Sequence, residues 1–407
     1  MKNEAPSNLS FFIILLTGFV DYLGLGLVYP IFAVLLFDVN QPILPSHASA
    51  EYRGAMLGIL IALTPISQFF CSPILGAFSD IKGRKKSLIL GISTGFLGYI
   101  LGIVGIVLNS LPLLFLYRFL VGASDATAAV AQATLTDIST EENKAKRFAY
   151  LNSSLGLGFT LGPFLGGIIA DPTIVSWFNY STPLIAAGLL SLLNLLLVIW
   201  KFPETRKILN RVEFDLIEGI HNIRKVFLMK NLRWLFFVGF ALSFGWSFFS
   251  EFVPVLLRER FGFTLGRIGV YYAMNGAWYS IGALIAARFV DKFSPVNVAT
   301  RSLLGAAICM LLFIAIRNPF YIWGILPLMM CCLAFAYPTA TTLVSNQANS
   351  EAQGEVLGVY QSVGAAAMGL SPLFVGSAVG AYPEFIAWGG AFCLVLSSFA
   401  FWKGKKI

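Results

Sequence analysis

The chain alternates between long apolar stretches and short polar ones. Most apolar stretches hold about 20 residues or more, which is enough for a helix to cross the hydrocarbon core of a bilayer. Only helices and closed barrels satisfy their backbone in hydrocarbon, and these stretches are too long and too uniformly apolar for barrel strands. The pattern therefore predicts an all-α membrane protein with twelve transmembrane helices. The predicted spans are residues 10–37, 54–78, 88–108, 111–136, 147–170, 181–201, 232–257, 267–290, 298–316, 320–346, 354–379 and 384–402.

The amino-acid composition indicates that most of this chain is surrounded by lipid rather than by water. Hydrophobic residues make up 57% of the sequence and charged residues only 12%, a balance that excludes an ordinary soluble domain. The first apolar run is too long for the core of a signal peptide and has only Lys2 before it, so we expect it to be retained as a span.

The net charge of +8 could suggest nucleic acid, but the position of the charges points to topology instead. When the loops are sorted by alternating sides, 22 of the 28 Lys and Arg residues lie on one side, five lie on the other and Arg118 lies within a span. Basic loops remain in the cytoplasm. We therefore expect both termini to be cytoplasmic, an inner or plasma membrane location, the lipid bilayer as a partner and no nucleic acid.

The cysteines lie inside predicted spans and lack the spacing of metal ligands, so we expect no disulfides, no metal and no cofactor. They are Cys71, Cys309, Cys331, Cys332 and Cys393.

A polar stretch divides the chain into similar parts. Residues 202–231 are predicted to form a cytoplasmic linker between two six-helix bundles, residues 1–201 and 232–407. Gly58 and Asp80 match Gly269 and Asp291 at an offset of 211 residues, which indicates an internal repeat. Two parallel repeats of this kind favour a pseudo-symmetric fold with a binding site near the middle of the membrane, between the bundles.

Three motifs carry specific information. The loop after the second span reads Gly76-Ala-Phe-Ser-Asp80-Ile-Lys-Gly83-Arg84-Lys85-Lys86, in which Gly76 would let helices approach closely and Gly83 would permit a tight turn. Span four contains Leu114-x3-Arg118-x3-Gly122. Span five contains Gly158-x3-Gly162-Pro163-x2-Gly166-Gly167, a run that also fits generic packing of small residues.

Together these motifs resemble the major facilitator superfamily, and specifically its twelve-helix drug:proton antiporter branch, in which the tetracycline-efflux members are most similar in style. The resemblance covers the whole chain. It implies that the loop after span two is a conformational latch, that Arg118 is tied to proton transfer and that the span-five motif belongs to antiporters. The implied latch residues are Gly76, Asp80, Gly83, Arg84 and Lys85, with Asp137 and Arg147 among their counter-charges.

Three carboxylates lie inside predicted spans: Asp21, Asp125 and Glu251. Charged residues within a membrane are costly and usually face a cavity or a partner. Asp21, together with Arg118, is our candidate for proton coupling, although it could simply be hydrogen-bonded to neighbouring spans. Glu251 could face the cavity, reach water or pair with Arg258.

Asp125 shares one predicted helix face with Arg118 and Gln132, so we expect Asp125 and Gln132 to line the substrate cavity and Asp125 to select weakly basic or cationic compounds. A structural role, with Asp125 bonded to hydroxyl groups, is the alternative. Span eight adds an aromatic face that either lines the cavity or packs between helices. Its residues are Tyr271, Asn275, Trp278 and Tyr279.

The leading hypothesis is a monomeric, proton-coupled antiporter that exports small amphipathic or drug-like compounds. The same fold could instead import a metabolite, organic acid or siderophore together with protons. A membrane-embedded enzyme lacks support, because His47 and His221 both lie in predicted loops and no HExxH or GxSxG motif is present. A non-transporting sensor would not need charges in the middle of its spans.

Overall fold

A computed structural model describes residues 4–206, 221, 224–225, 229, 232–289, 293–346 and 353–404 of the chain. These residues are mostly helical and contain no strand, which confirms the all-α prediction. The helices are α1 (Glu4–Val28), α2 (Ile31–Phe37), α3 (Ala50–Lys82), α4 (Arg84–Val107), α5 (Leu111–Ser124), α6 (Thr127–Ile138), α7 (Glu141–Ile169), α8 (Thr182–Lys201), α9 (Arg233–Ser250), α10 (Val253–Phe261), α11 (Leu265–Phe289), α12 (Pro295–Ala315), α13 (Ile322–Asn346), α14 (Gln353–Ala381) and α15 (Phe385–Gly404).

Within the described ranges, ten helices or runs of consecutive helices are long and apolar enough to cross a membrane. The fifth and eighth predicted spans form α7 and α11, helices of 29 and 25 residues that are not among those ten. The count of twelve spans is therefore not fully confirmed. Most of the predicted linker, residues 202–231, lies outside the described residues.

Spans one, four and seven are each formed by two consecutive helices. The break in span one lies at Tyr29 and Pro30, where proline lacks the N–H group that would continue the helix. The break in span seven precedes Pro254, which occupies the first turn of α10. In span four the dihedral angles of Asp125 and Ala126 stay helical, and the turn is a local tightening in which Ala128 and Ala129 donate to the carbonyls three residues before them.

The described residues fall into two compact units. The first unit contains the residues up to Ser46, those from Leu63 to Arg206 and the segment Thr264–Ala273. Its core is built from apolar side chains of α1, α4, α6 and α7. They include Ile13, Ile14, Leu88, Ile92, Val130, Leu135 and Leu151.

The second unit contains His47–Ala62 and the described residues from His221 to Phe263 and from Met274 onward. Its core is rich in phenylalanine. The rings of Phe249 and Phe313, both fully buried, meet edge to face with centroids 5.3 Å apart. Hydroxyl groups tie its helices together, since Ser397 Oγ donates to the carbonyl of Val238 at 3.1 Å.

Helix α7 packs backbone to backbone against α1. A Cβ atom added at Gly162 would lie 2.7 Å from the Cα atom of Gly26, and one added at Gly158 would lie 2.6 Å from the carbonyl oxygen of Phe19. A Cβ atom added at Gly166 would likewise collide with the backbone of Leu27. The small residues of the span-five motif thus make the close approach predicted for them, and they fix the helix that carries Asp21.

Pro163 and Gly167 of the same motif face different neighbours. The Cδ atom of Pro163 would lie 2.8 Å from a Cβ added at Gly26 of α1. Gly167 approaches α11 instead, where an added Cβ would lie 2.8 Å from the Cα atom of Gly269. The five residues of the motif therefore join α7 to α1 and to the first part of α11, which belongs to the first unit.

Candidate functional site

The turn in span four carries Asp125, whose side chain is buried in the first unit. Asp125, only 7% exposed, follows the last residue of α5, and its backbone N–H still bonds to the carbonyl of Val121 at 2.9 Å. Gln68 of α3 donates to the carbonyl of Asp125 at 3.4 Å, and α6 begins at Thr127. The Asp125 carbonyl thus accepts hydrogen bonds both from the Ala128 N–H within the turn, at 3.2 Å, and from Gln68 on a neighbouring helix.

Asp21 of α1 reaches the first residue of α6. The Thr127 hydroxyl donates to Asp21 Oδ2 over 2.8 Å. Glycines of α4 make room for this turn, because a Cβ added at Gly91 would collide with the Thr127 methyl group. A Cβ added at Gly95 would lie 2.9 Å from the Cβ atom of Ser124. The sequence predicted Asp21 but gave no reason to single out Thr127.

The Asp21 and Asp125 carboxylates interact electrostatically and share two small cavities. One cavity is also lined by Thr17 and Tyr22, the other by Tyr99 and Ser191. Two like charges that line the same cavity in a medium of low dielectric repel each other. The arrangement therefore favours a state in which a proton or a bound cation offsets one of them.

Arg118 of α5 belongs to the same neighbourhood. It is 4% exposed and interacts electrostatically with Asp125, and its guanidinium carbon lies 5.5 Å from the centre of the Phe32 ring. Thr64 donates to its backbone carbonyl at 3.2 Å. The structure thus places Arg118, Asp125 and Asp21 in one unit; the role of Asp21 and Arg118 in proton coupling stays a prediction.

The predicted face through Arg118, Asp125 and Gln132 crosses the turn between α5 and α6. Arg118 lies on α5 and Gln132 on α6, and the backbone at Asp125 and Ala126 keeps helical dihedral angles between them. The shared face stays a prediction. Gln132 is exposed rather than part of the buried carboxylate pair.

Other polar groups of the site escaped the sequence analysis. Thr17 donates to the Asn194 side chain at 3.0 Å, and the rings of Tyr99 and Tyr117 lie 5.8 Å apart beside the carboxylates. An asparagine within the apolar run of α8 and a threonine four residues before Asp21 were the available signals. Each is too common in membrane helices to be informative alone.

A second cluster of charges lies at the other end of α6. Arg84, whose side chain is 3% exposed, binds Asp80 at 2.9 Å and Asp137 at 2.7 Å. Arg206 joins them at 3.0 Å from Asp80. Gly83 adopts a φ of 98°, a conformation that favours glycine, and this turn places Arg84 between the two acids. The predicted latch residues Asp80, Arg84 and Asp137 are thus brought together.

Glu204 caps the N-terminus of α4 from the chain that follows α8. Its carboxylate accepts hydrogen bonds from the backbone N–H groups of Arg84 and Lys85 at 2.9 and 3.2 Å. A negative charge at this end of a helix is stabilising. Glu204 and Arg206 were missed because the sequence pattern placed both in a solvated linker.

Two predicted latch residues make different contacts. Arg147 donates to the backbone carbonyl of Ile138 at 2.6 Å and lies over the ring of Phe11. A Cβ added at Gly76 meets nothing within 4 Å, so the close helix approach expected there is absent from the described residues.

Asp171, directly after α7, anchors the first turn of α11. It is 3% exposed and accepts hydrogen bonds from the Thr173 hydroxyl at 2.7 Å and from the Gly266 N–H at 3.0 Å. Burial opposes its ionisation, but the bonds from Thr173 and Gly266 outweigh that effect and hold the pKa of Asp171 below the ordinary value.

The remaining predicted residues lie on span seven and α11. Glu251 occupies the break between α9 and α10 in the second unit. On α11, Tyr271 is fully buried and belongs to the first unit, whereas Asn275, Trp278 and Tyr279 belong to the second. Their role in a cavity stays a prediction. Among the described residues no group of three or more His, Cys, Asp or Glu could hold a metal ion.

Comparison with known proteins links this geometry to a family. A family model described as Major Facilitator Superfamily matches residues 14–372. The chain is 26% identical to the tetracycline resistance protein, class H, of Pasteurella multocida, over 88% of this chain and 85% of that protein. It is 25% identical to the quinolone resistance protein NorA of Staphylococcus aureus, over 91% and 90%.

Solved structures show the same fold. A D-xylose-proton symporter matches with a TM-score of 0.75 at 16% identity, over 98% of this chain and 96% of that chain. The human organic anion transporter MFSD10 (TETRAN) matches with a TM-score of 0.67 at 21% identity, over 98% of both chains.

Proposed function

The chain belongs to the major facilitator superfamily, and on that basis we propose that it is a proton-coupled antiporter that exports small amphipathic or drug-like compounds by alternating access. Relatives named for resistance to tetracycline and to quinolones support export. Each of them aligns with more than four fifths of this chain. We further propose that the protein acts as a monomer with both termini in the cytoplasm, as the distribution of basic residues suggests.

The observation that carries the proposal is the charge balance around the turn in span four. Among the described residues that interact there, Asp21 and Asp125 are acids and Arg118 is the base, so full ionisation leaves one net negative charge. A buried, uncompensated charge is costly, and either a proton or a ligand cation would offset it.

Competition between a proton and a cationic substrate for that negative charge would couple the export of one to the import of the other. A proton on Asp21 and a cationic substrate near Asp125 would each neutralise the same site, so binding of one would favour release of the other. Arg118, close to Asp125, would hold the remaining carboxylate ionised. We assign proton carriage to Asp21, selection of cationic substrates to Asp125 and electrostatic control to Arg118.

Reconstituted vesicles test this function. We would impose a pH gradient and record proton flux and accumulation for tetracycline, a fluoroquinolone and a lipophilic cation. An antiporter moves protons opposite to the compound, whereas movement in the same direction would identify a symporter. Asp21→Asn should abolish uphill transport, while Asp38→Asn, a matched change outside the spans, should not. Normal pH-driven accumulation by Asp21→Asn would overturn the assignment.

A further inference from the structure

Helix α6 has a contact of functional interest at each end. Its first residue, Thr127, holds Asp21, and its penultimate residue, Asp137, holds Arg84. Ten residues separate the two positions, which corresponds to about 15 Å along a helix. One short helix therefore joins the buried carboxylate pair to the charge cluster at the end of α3.

We propose that α6 is a coupling element that transmits the protonation state of Asp21 to the ion pair between Arg84 and Asp137, with Thr127 as the positioning residue. This inference rests on the proposed function, because it takes Asp21 as the proton carrier. It goes further by naming the part of the chain through which proton binding would change the cytoplasmic cluster.

The turn between α5 and α6 allows α6 to bend relative to α5. Asp125 and Ala126 keep helical dihedral angles, but the N–H groups of Ala128 and Ala129 donate to the carbonyls three residues before them, at 3.2 and 3.1 Å. A short tightened segment of this kind within a helix often marks a hinge. The other contacts of α6 are apolar, since Val130 and Leu135 are fully buried against the core of the first unit. Apolar surfaces tolerate small shifts, so the directional contacts of α6 are concentrated at its two ends.

Protonation changes the contact at the first end. An ionised Asp21 can only accept, and a hydrogen bond from a hydroxyl to a carboxylate is short and strong. A protonated Asp21 offers a weaker, neutral acceptor and a competing donor, so Thr127 is held less firmly. The other titratable groups near Asp21 are Asp125, Tyr22 and Tyr99, with Arg118 acting on Asp125.

A shift at the first end reaches a pair that is sensitive to geometry. Arg84 contacts Asp137 through Nε at 2.7 Å and Nη2 at 3.4 Å, a two-point arrangement that depends on the relative position of both side chains. Movement of α6 by a fraction of an ångström would lengthen one of these bonds. Asp80 and Arg206, which share the cluster, would then redistribute their contacts.

The experiment measures a change at the Asp137 end of α6 while the contact at the Thr127 end is altered. Thr136, exposed on the last turn of α6, would be replaced by Cys in full-length protein whose five native cysteines have been removed, and labelled with an environment-sensitive fluorophore. Reconstituted in nanodiscs, the label should show a pH-dependent transition that Asp21→Asn abolishes. Thr127→Val, which replaces the hydroxyl with a methyl group of similar size, should reduce its amplitude about fivefold or more.

Two controls separate coupling from damage to the fold. Thr127→Ser restores a hydroxyl and should restore the transition. Thr134→Val removes another buried hydroxyl of α6, one that bonds within its own helix to Val130, and should leave the transition unchanged. An undiminished transition in Thr127→Val, with Asp21→Asn still abolishing it, would overturn the role of α6 through Thr127. A transition that survives Asp21→Asn, together with normal transport by that variant, would instead refute the proposed function.

Discussion

A single methyl group at Gly162 should destabilise the packing of α7 on α1. In Gly162→Ala the new Cβ would lie 2.7 Å from both the Gly26 Cα atom and the Leu23 carbonyl oxygen, whereas ordinary contact begins at 3.4 Å. Both partners are backbone atoms and cannot rotate away. The two helices would have to separate by about 0.7 Å, the difference between these distances.

The expected cost follows from two opposing effects. Forcing an extra carbon into a close-packed contact costs about 1–3 kcal/mol. Replacing glycine by alanine in a helix interior stabilises the helix by about 1 kcal/mol. Gly162→Ala should therefore be about as stable as the parent protein or up to about 2 kcal/mol less stable.

Gly156, on the same helix, supplies a matched control because a Cβ added there meets nothing within 4 Å. Gly156→Ala should gain the same helix preference without the collision, so the two variants should differ by the packing term alone. We would compare apparent melting temperatures in detergent and expect Gly156→Ala to equal or exceed the parent and Gly162→Ala to fall below Gly156→Ala. Equal melting of the two variants would refute the backbone contact.

Three further outcomes are expected. Asp125→Asn should lower export of cationic compounds more than that of neutral analogues in the vesicle assay, and equal loss of both would place Asp125 in the proton path instead. Glu204→Gln should accelerate hydrogen–deuterium exchange at the Arg84 amide about two- to fivefold, because a charge at a helix N-terminus contributes about 0.3–1 kcal/mol; unchanged exchange would contradict the cap. The lowered pKa of Asp171 means that its stabilising bond to Gly266 is fully present above the ordinary carboxyl range and is lost as pH falls through that lowered pKa. Hydrogen–deuterium exchange of the Gly266 amide, corrected for its intrinsic rate, should therefore become faster on acidification in the parent protein but not in Asp171→Asn. An equal acceleration in that variant would exclude Asp171 as the cause.

The positions of most spans and the charge cluster around Arg84 could be predicted, because both depend on residues that are close in sequence. Apolar length fixes a span, and Asp80, Gly83 and Arg84 lie within five residues of one another, so a single turn brings them together. Asp137 was expected as a counter-charge because it lies in the loop between the fourth and fifth predicted spans. The function of this cluster as a latch stays a prediction.

The turn in span four could not be predicted, because no residue in the local sequence marks it. Neither Asp125 nor Ala126 forbids a helix, and the turn is stabilised by contacts to Gln68 and from Thr127 to Asp21, which lie 57 and 106 residues apart in sequence. Glu204 was missed for a related reason, since an acidic residue just after a span looks like one that faces water. Only the fold shows that α4 lacks a side-chain cap of its own.

The backbone contact between α1 and α7 also provides a fixed reference distance within the protein. At Gly26 and Gly162 the two helices meet without intervening side chains, so neither can slide along the other without first lifting away. A pair of spin labels, one on each helix, should therefore report the same distance whichever side of the membrane the protein opens to. Changes in any other labelled pair can be measured against that fixed length.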